Sequence, residues 1–437
     1  MTEQLVIHKS GPLAGTVVVH GAKNAVLPIM AACLLTDEPS VIDNVPHVSD
    51  VALMADILRH LGVQVEWSGE RLTITPGRFD GVIAPYELVS RMRASICVLG
   101  PLLARKGRAQ VSMPGGCVIG PRPVDLHLKG LQTLGALITI EHGYIQASAT
   151  ELRGTKVHLA GAFGSSVLAT DNLLMAATLA RGTTIIEHAA CEPEVADLAE
   201  FLIAMGARIE GQGSPVIRVE GVERLHGARH RIIPDRIEAG TWLIAAALLG
   251  GDLTIDGTRA DHLGAVMDKL AEAGVAIDTC NGSLKVRKRP EPVRAVDVTT
   301  LPFPGFPTDL QAQMMALLSV ARGMSILTEK VYPERFMHIA ELNRMGASIT
   351  REGTSAIVRG VERLSGAPVA APDLRASAAL ILAGMVAENQ TELRGLEHLD
   401  RGYQDFTQQL LRLGARIERR QMAGDRYYGV SGRPPQD

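Results

Sequence analysis

Leu58-Arg59-His60-Leu61-Gly62-Val63 reads as the end of a helix followed by the start of a strand, and the same text recurs through the chain. A leucine is followed three residues later by a small or apolar residue, then by Gly and by Ala or Val. Five further copies begin at Leu131, Leu202, Leu270, Leu342 and Leu410. Their glycines, Gly62, Gly135, Gly206, Gly274, Gly346 and Gly414, lie 68–73 residues apart. Gly just past a last helical turn suits the left-handed backbone that ends many helices. Each copy is followed by strand-like text, such as Val63–Trp67, Leu137–Ile140 and Ala415–Arg420.

A second pattern runs in phase with the first. Six helices rich in small apolar residues begin near Lys23, Arg93, Ser166, Arg236, Thr308 and Arg375, and each leads through a Gly or polar turn into a strand. Helices so poor in charge are expected to be buried nearly all round. The unit therefore reads as strand, strand, buried helix, strand, amphipathic helix, strand. An open solenoid competes with two closed domains of three units each. The period exceeds that of common solenoids and no atypical capping repeat is present, which favours the closed arrangement.

Bulk composition agrees. The 437 residues exceed one ordinary core, and 46% hydrophobic with 21% charged residues is normal for a soluble globular chain. Aromatics are scarce, so the core must be built from aliphatic side chains and Met. A net charge of -3 gives no reason to expect nucleic acid as a partner. No apolar run is long enough to span a bilayer, and Met1–Gly15 lacks the pattern of a signal peptide. Cys33, Cys97, Cys117, Cys191 and Cys280 are scattered, which argues against a disulfide framework and a zinc site. A cytoplasmic protein with free thiols and no metal is expected.

The helix starts carry the functional signal. Asp, Ser and Thr there are ordinary caps. Lys23, Arg93, Arg236 and Arg375 are not, because a cation at a helix N-terminus opposes the macrodipole. An anionic ligand or an acidic partner resolves the conflict. Asp235 and Asp373 are neighbours able to pair with Arg236 and Arg375. If all six starts face one cleft, that cleft is expected to be electropositive and to attract a phosphate or carboxylate. The segment Met113–Gly130 is the other outlier, a Pro- and Gly-rich loop holding Cys117 behind two glycines, with Arg122, His127 and Lys129 nearby to favour a thiolate. Cys33, Cys97 and Cys191 read as small buried hydrophobes, and Cys280 as a turn at a strand end. Asp309, behind Pro304 and Pro307, is either a cap or a general base aimed into the cleft.

Seven stretches in order, Gly21–Pro28, Met92–Ile96, Pro114–His127, Phe306–Gln313, Glu334–His338, Asp373–Ser377 and Asp400–Tyr403, resemble the motifs of the UDP-N-acetylglucosamine 1-carboxyvinyltransferases. The resemblance spans essentially the whole chain. It implies an α/β fold of two inside-out α/β barrels, residues 22–233 and residues 1–21 plus 234–437, with the active site between them. It implies transfer of the enolpyruvyl group of phosphoenolpyruvate to UDP-N-acetylglucosamine by a cytoplasmic monomer without cofactor, nucleic acid or membrane partner. Lys23 and Asn24 match phosphoenolpyruvate contacts, and Arg122 and Arg401 match the cations that hold its phosphate and carboxylate. Cys117 matches the loop cysteine that acts in proton transfer and that fosfomycin alkylates. Asp309 matches the group that takes the proton of the sugar hydroxyl. Arg93, Pro123, Val124, Asp125, Leu126 and Val331 match nucleotide-sugar contacts, and Asp373 and Arg375 match positions near the phosphoenolpyruvate pocket.

The chain departs from the family pattern on the sugar side. Ser166-Val167-Leu168-Ala169-Thr170 has Leu168 where the family has Gly, Phe163-Gly164-Ser165 stands where a basic residue or Pro is common, Cys191 replaces an Arg, and Cys97 a Trp. An enolpyruvyl transferase with a different acceptor, or a binding paralogue without turnover, are the readings these departures leave open.

Overall fold

In the computed structural model, residues 3–115, 124–162, 164–287 and 292–421 are described. They form six four-stranded sheets, and all six share one strand order. The sheet of Ser40–Asp43 shows it. That strand pairs in parallel with Arg229–Arg231 on one side, and antiparallel with Arg71–Thr75 on the other, which in turn pairs with Gln64–Ser68. In the chain, a buried helix precedes the second strand and an amphipathic helix follows it, as the repeat predicts.

The six expected turns form with the expected backbone. Gly62, Gly135, Gly206, Gly274, Gly346 and Gly414 all have φ between +87° and +101°. Each ends an amphipathic helix, from Ser49–His60 to Phe406–Arg412, and releases the chain into a strand. The strand then turns back on itself as a hairpin whose alternate residues face the core, as in Arg71–Thr75, where Leu72 and Ile74 are buried.

The Ala-rich helices are buried on nearly every side. From Ile237 to Leu248 the helix Arg236–Leu249 has no exposed residue. Two apolar clusters result. One gathers residues from 22 to 232, the other residues from 5 to 19 and from 237 to 417. The chain passes between them near residues 20 and 234, and the two passages run side by side. The Asp235 N–H donates to the His20 carbonyl (2.8 Å) and the Ala22 N–H to the Ile233 carbonyl (2.8 Å). Aromatic packing is confined to a few places, such as Trp242 against Phe406 (4.7 Å between centroids).

Small residues let the buried helices approach closely. A Cβ at Gly100 would lie 2.4 Å from the carbonyl oxygen of Asn172 on the helix Val167–Ala177. At Gly414 a Cβ would meet nothing within 4 Å, and only the left-handed backbone resists it. Gly414→Ala is therefore expected to lower unfolding free energy by about 1 kcal/mol, the strain of one L-residue at positive φ. Gly100→Ala is expected to lower it by about 3 kcal/mol through overpacking. Urea unfolding of both variants checks the order, and equal losses would refute the assignment of cause.

Candidate active site

The six buried helices all begin at one cleft of ≈ 940 Å³. Lys23 and Asn24 line it from the first helix. Arg91 and Arg93 stand at the second, where a 3-10 turn Arg93–Val98 runs into the helix Leu99–Lys106. Val167 and Leu168, Arg236 and Ile237, Thr308 and Asp309, and Asp373 to Arg375 supply the other four. Val331, Arg335 and Arg401 complete the wall from loops of the second cluster. Of the residues singled out from sequence, Lys23, Asn24, Arg93, Asp309, Val331, Asp373, Arg375 and Arg401 thus share one site. Val124, Asp125 and Leu126 do not line the cleft. They open the helix Asp125–Thr133, where Leu126 packs beneath Gly161. Cys117, Arg122 and Pro123 lie outside the described residues.

The cap roles divide as local chemistry demands. The Asp235 carboxylate accepts from the N–H groups of Ile237 and Glu238, and Asp373 from those of Arg375 and Ala376. Ser166 Oγ accepts from the Ala169 N–H. One oxygen of each of the two aspartates serves its own helix end, and the alternative neighbour pairs Asp235–Arg236 and Asp373–Arg375 are not among the ion pairs of the described residues. The cations reach acids from elsewhere instead. Arg236 Nε lies 2.9 Å from Glu194, Arg375 NH2 3.0 Å from Asp309, and Lys23 Nζ 3.0 Å from Asp50.

This corrects the expectation of an electropositive cleft. Among the described lining residues, Lys23, Arg91, Arg93, Arg236, Arg335, Arg375 and Arg401 face Asp50, Glu192, Glu194, Asp309, Asp373, Glu397 and Asp400. Among the described residues the cleft is a lattice of opposed charges rather than a bare cationic bowl. Asp50, Glu192, Glu194 and Arg335 were not singled out from sequence. Arg335 lies inside the stretch Glu334–His338, which was the available signal. Asp50 and the two glutamates have no local mark.

Asp309 does not cap its helix. One oxygen accepts from Arg335 NH1 (2.7 Å) and the other from Arg375 Nε (3.1 Å). Burial alone would raise its pKa, but Arg375 and Arg335 overcome burial and hold the carboxyl far below the usual carboxylate range. In this arrangement Asp309 is a poor proton acceptor. Asp50 behaves alike: burial opposes its charge, and Lys23 and Arg401 prevail. Glu192 goes the other way, its pKa raised by burial that Arg236 only partly offsets. The Glu192 Oε1 accepts from the Phe303 N–H (3.3 Å). Glu329, fully buried, fixes the loop that carries Val331. It accepts from Thr300 and Thr308 hydroxyls and from the Val331 and Tyr332 N–H groups.

Leu168 is the second residue of the helix Val167–Ala177. Gly164 pairs with Gly161 through both backbone groups, and Leu168 sits half-buried on the cleft wall. Leu301, Pro302 and Phe303 give the cleft further apolar lining from the second cluster. Of the cysteines read as buried, Cys33 and Cys97 are buried, with burial pushing the Cys33 thiol up to about 12 and Cys97 well above its ordinary value. Cys191 departs from that reading and is only half-buried, and Cys280 is exposed at the end of a strand. No helix among the described residues is long and apolar enough to cross a membrane.

Behind Arg335 lies His338, fully buried, with no hydrogen-bond partner for either ring nitrogen among the described residues. Burial pushes its pKa down to about 4, against a partial pull from Asp373. A group whose folded pKa is depressed contributes stability that is complete above its unfolded pKa and is lost as pH falls toward the folded value. Unfolding free energy is therefore expected to drop between pH 6.5 and about 4. His338→Leu should flatten that stretch of the profile, measured by urea unfolding at several pH values. An unchanged profile would rule out His338 as its source.

The arrangement can hold a small polyanion among fixed cations and a larger polar molecule along the mixed wall. The sequence profile of the EPSP synthase (3-phosphoshikimate 1-carboxyvinyltransferase) family matches residues 7–410. The chain is 52% identical, over 96% of its length and 100% of that protein's, to UDP-N-acetylglucosamine 1-carboxyvinyltransferase 1 of Caldanaerobacter subterraneus subsp. tengcongensis. It is 51% identical, over 95% of its length and 99% of that protein's, to the UDP-N-acetylglucosamine 1-carboxyvinyltransferase of Methylacidiphilum infernorum. Among solved structures it resembles the enolpyruvyl transferase NikO from Streptomyces tendae, with a TM-score of 0.87, 28% identity and coverage of 96% and 99% of the two chains. It shares the fold of EPSP synthase from Acinetobacter baumannii, with a TM-score of 0.73, 19% identity and coverage of 96% and 100%. Six repeated sheets, a cleft ringed by helix starts and near-complete alignment with these relatives together establish that the chain belongs to the UDP-N-acetylglucosamine 1-carboxyvinyltransferase branch of the enolpyruvyl transferase family.

Proposed function

We propose that the protein transfers the enolpyruvyl group of phosphoenolpyruvate to the 3-hydroxyl of UDP-N-acetylglucosamine and releases phosphate, the first committed step of peptidoglycan synthesis. The observation that carries this reading is the meeting of Lys23 and Arg401, from opposite ends of the chain, in the cleft that also holds Asn24 and Asp309. On this reading residues 22–233 and residues 1–21 plus 234–437 act as two three-unit domains of the inside-out barrel type, working in the cytoplasm as a monomer without cofactor, metal, nucleic acid or membrane partner.

The chemistry is addition followed by elimination. The sugar oxygen bonds to C2 of phosphoenolpyruvate while C3 gains a proton and becomes a methyl group. The sugar hydroxyl proton leaves to a base. The tetrahedral product then loses phosphate from C2 and a proton from the methyl group, which restores the double bond. Lys23, Arg122 and Arg401 hold phosphate and carboxylate through both steps, since fixed cations need no reorganisation as charge moves. The Arg forks suit both groups. Cys117 is the proton donor on the loop, and Asp309 the acceptor.

Asp309 reaches that role only if its arginines are partly drawn off. A substrate anion among Arg375, Arg335 and Lys23 adds negative charge beside it and raises its pKa toward a useful range. Arg93 and Val331 hold the nucleotide sugar from the cleft wall; the contacts that the resemblance gives to Pro123, Val124, Asp125 and Leu126 belong to this reading although Val124, Asp125 and Leu126 stand off that wall, and Asp373 and Arg375 support the phosphoenolpyruvate pocket.

A second reading, transfer to a different acceptor, is favoured by one observation: Leu168 places an isobutyl group on the cleft wall. Phosphate release decides between them. With phosphoenolpyruvate, release is expected with UDP-N-acetylglucosamine and not with shikimate 3-phosphate; release with neither acceptor sinks the first reading. Asp309→Asn should lower kcat by about 10³-fold while nucleotide-sugar binding stays measurable by calorimetry. Retained turnover removes Asp309 as the base. Fosfomycin should add covalently at Cys117 when the nucleotide sugar is present, and a peptide mass map with Cys117 unmodified counts against its role. Leu168→Gly should change KM for the acceptor and leave KM for phosphoenolpyruvate alone.

A further inference from the structure

Asp50 carries no assigned role, yet it sits where two substrate cations meet. Its side chain is 4% exposed. One oxygen accepts from Arg401 Nε at 2.9 Å and the other from Lys23 Nζ at 3.0 Å. Lys23 begins a helix of the first apolar cluster, and Arg401 lies among residues of the second, next to Leu399 and Tyr403. A single carboxylate therefore bridges the two clusters at the anion site.

We propose that Asp50 is a built-in anion that keeps Lys23 and Arg401 in position and competes with substrate or product phosphate for them. The inference rests on the reading of Lys23 and Arg401 as phosphoenolpyruvate contacts. Three observations carry it further. First, the bridge has the geometry of an anion held by two cations, which is the geometry an arriving phosphate group needs. Second, the backbone that carries Asp50 is anchored. It lies in the first turn of the helix Ser49–His60, and the backbone before it is stitched to the Arg401 segment, the Ser49 N–H donating to the Asp400 carbonyl (3.0 Å) and the His47 N–H to Gln404 Oε1 (2.6 Å). Third, Asp50 stays ionised despite burial, because Lys23 and Arg401 outweigh desolvation.

A carboxylate that remains charged and in place beside a bound phosphate must repel it. It orders the two cations before substrate arrives, as a preorganised site requires. It also weakens the hold on free phosphate, so that the product leaves a site built from cations. A transferase that retained its own leaving group would inhibit itself.

The test is calorimetric binding of inorganic phosphate to the full-length protein at low ionic strength. Removing one buried charge-assisted contact that opposes the ligand should tighten phosphate binding by about tenfold or more in Asp50→Asn. In turnover, kcat and KM for phosphoenolpyruvate should fall together in that variant, because ground-state binding improves while the cations lose their order. In Asp50→Ala, formate should fill the vacated place, raise the unfolding temperature and compete with phosphate, and it should do neither in the wild type. Formate rescue keeps the inference testable if Asp50→Asn does not fold. Unchanged or weaker phosphate binding in a folded Asp50→Asn protein overturns the inference, as does an Asp50→Ala protein indifferent to formate. Wild-type protein that binds neither phosphate nor phosphoenolpyruvate would overturn the enolpyruvyl reading as well, which separates the two failures.

Discussion

Everything around the cleft depends on how the protein neutralises cations at the starts of buried helices. Lys23, Arg236 and Arg375 each stand where the helix dipole is unfavourable to them and where water is scarce. Each is matched by a carboxylate from a distant stretch, Asp50, Glu194 or Asp309. Removing one member of such a buried pair strands the other, which typically costs about 3–5 kcal/mol. Arg236 pairs with Glu194, and Arg401 with Asp50, between one apolar cluster and the other. The ion pairs that make the site tolerable are thus also ties between its two sides.

The same reasoning explains why carboxyl groups of one kind behave differently here. Asp171 is fully buried, finds no hydrogen-bond partner, and lies near Glu192 and Glu194, so burial pushes its pKa well above the ordinary value. Burial thus favours its neutral form, and it packs within the helix Val167–Ala177. Asp309 is held by two arginines and stays charged. Glu192, with Arg236 only in part, falls between. Environment, not residue type, sorts these acids into packing residues and charged members of the site.

The fold was legible because its signals are local. Six glycines at positive φ, each closing a helix before a strand, are visible as text, and so is the poverty of charge in the six buried helices. The site was legible in part, because a cation at a helix start is anomalous on its face. Its partners were not. Asp50, in Val48-Ser49-Asp50, reads as an ordinary acid in a first helical turn, and it is one; its second role depends on Lys23 and Arg401, which only folding brings near. The neighbours Asp235 and Asp373 turn one oxygen to the N–H groups of their own helices, while the adjacent arginines reach Glu194 and Asp309 instead. Among the described residues the expected positive charge of the cleft is offset, since a count of cations at helix starts omits acids that arrive from other units.

The passages between the clusters bear on the site directly. Lys23 follows one passage by a few residues and Arg236 the other, and the two passages are hydrogen-bonded to each other beside them. Asp235 caps the helix of Arg236 while its own N–H binds His20, so one residue is both a helix cap and part of the crossing. The first charged residues of two opposing helices are therefore set by the crossing itself. A change in how one cluster seats on the other changes the distance from Arg401 to Lys23 and Asp50, which both stand on the side of the first cluster, and a ligand that alters that distance acts on the seating by the same amount of free energy. In this protein, the reach of Arg401 into the anion site and the seating of the two apolar clusters are coupled through Asp50.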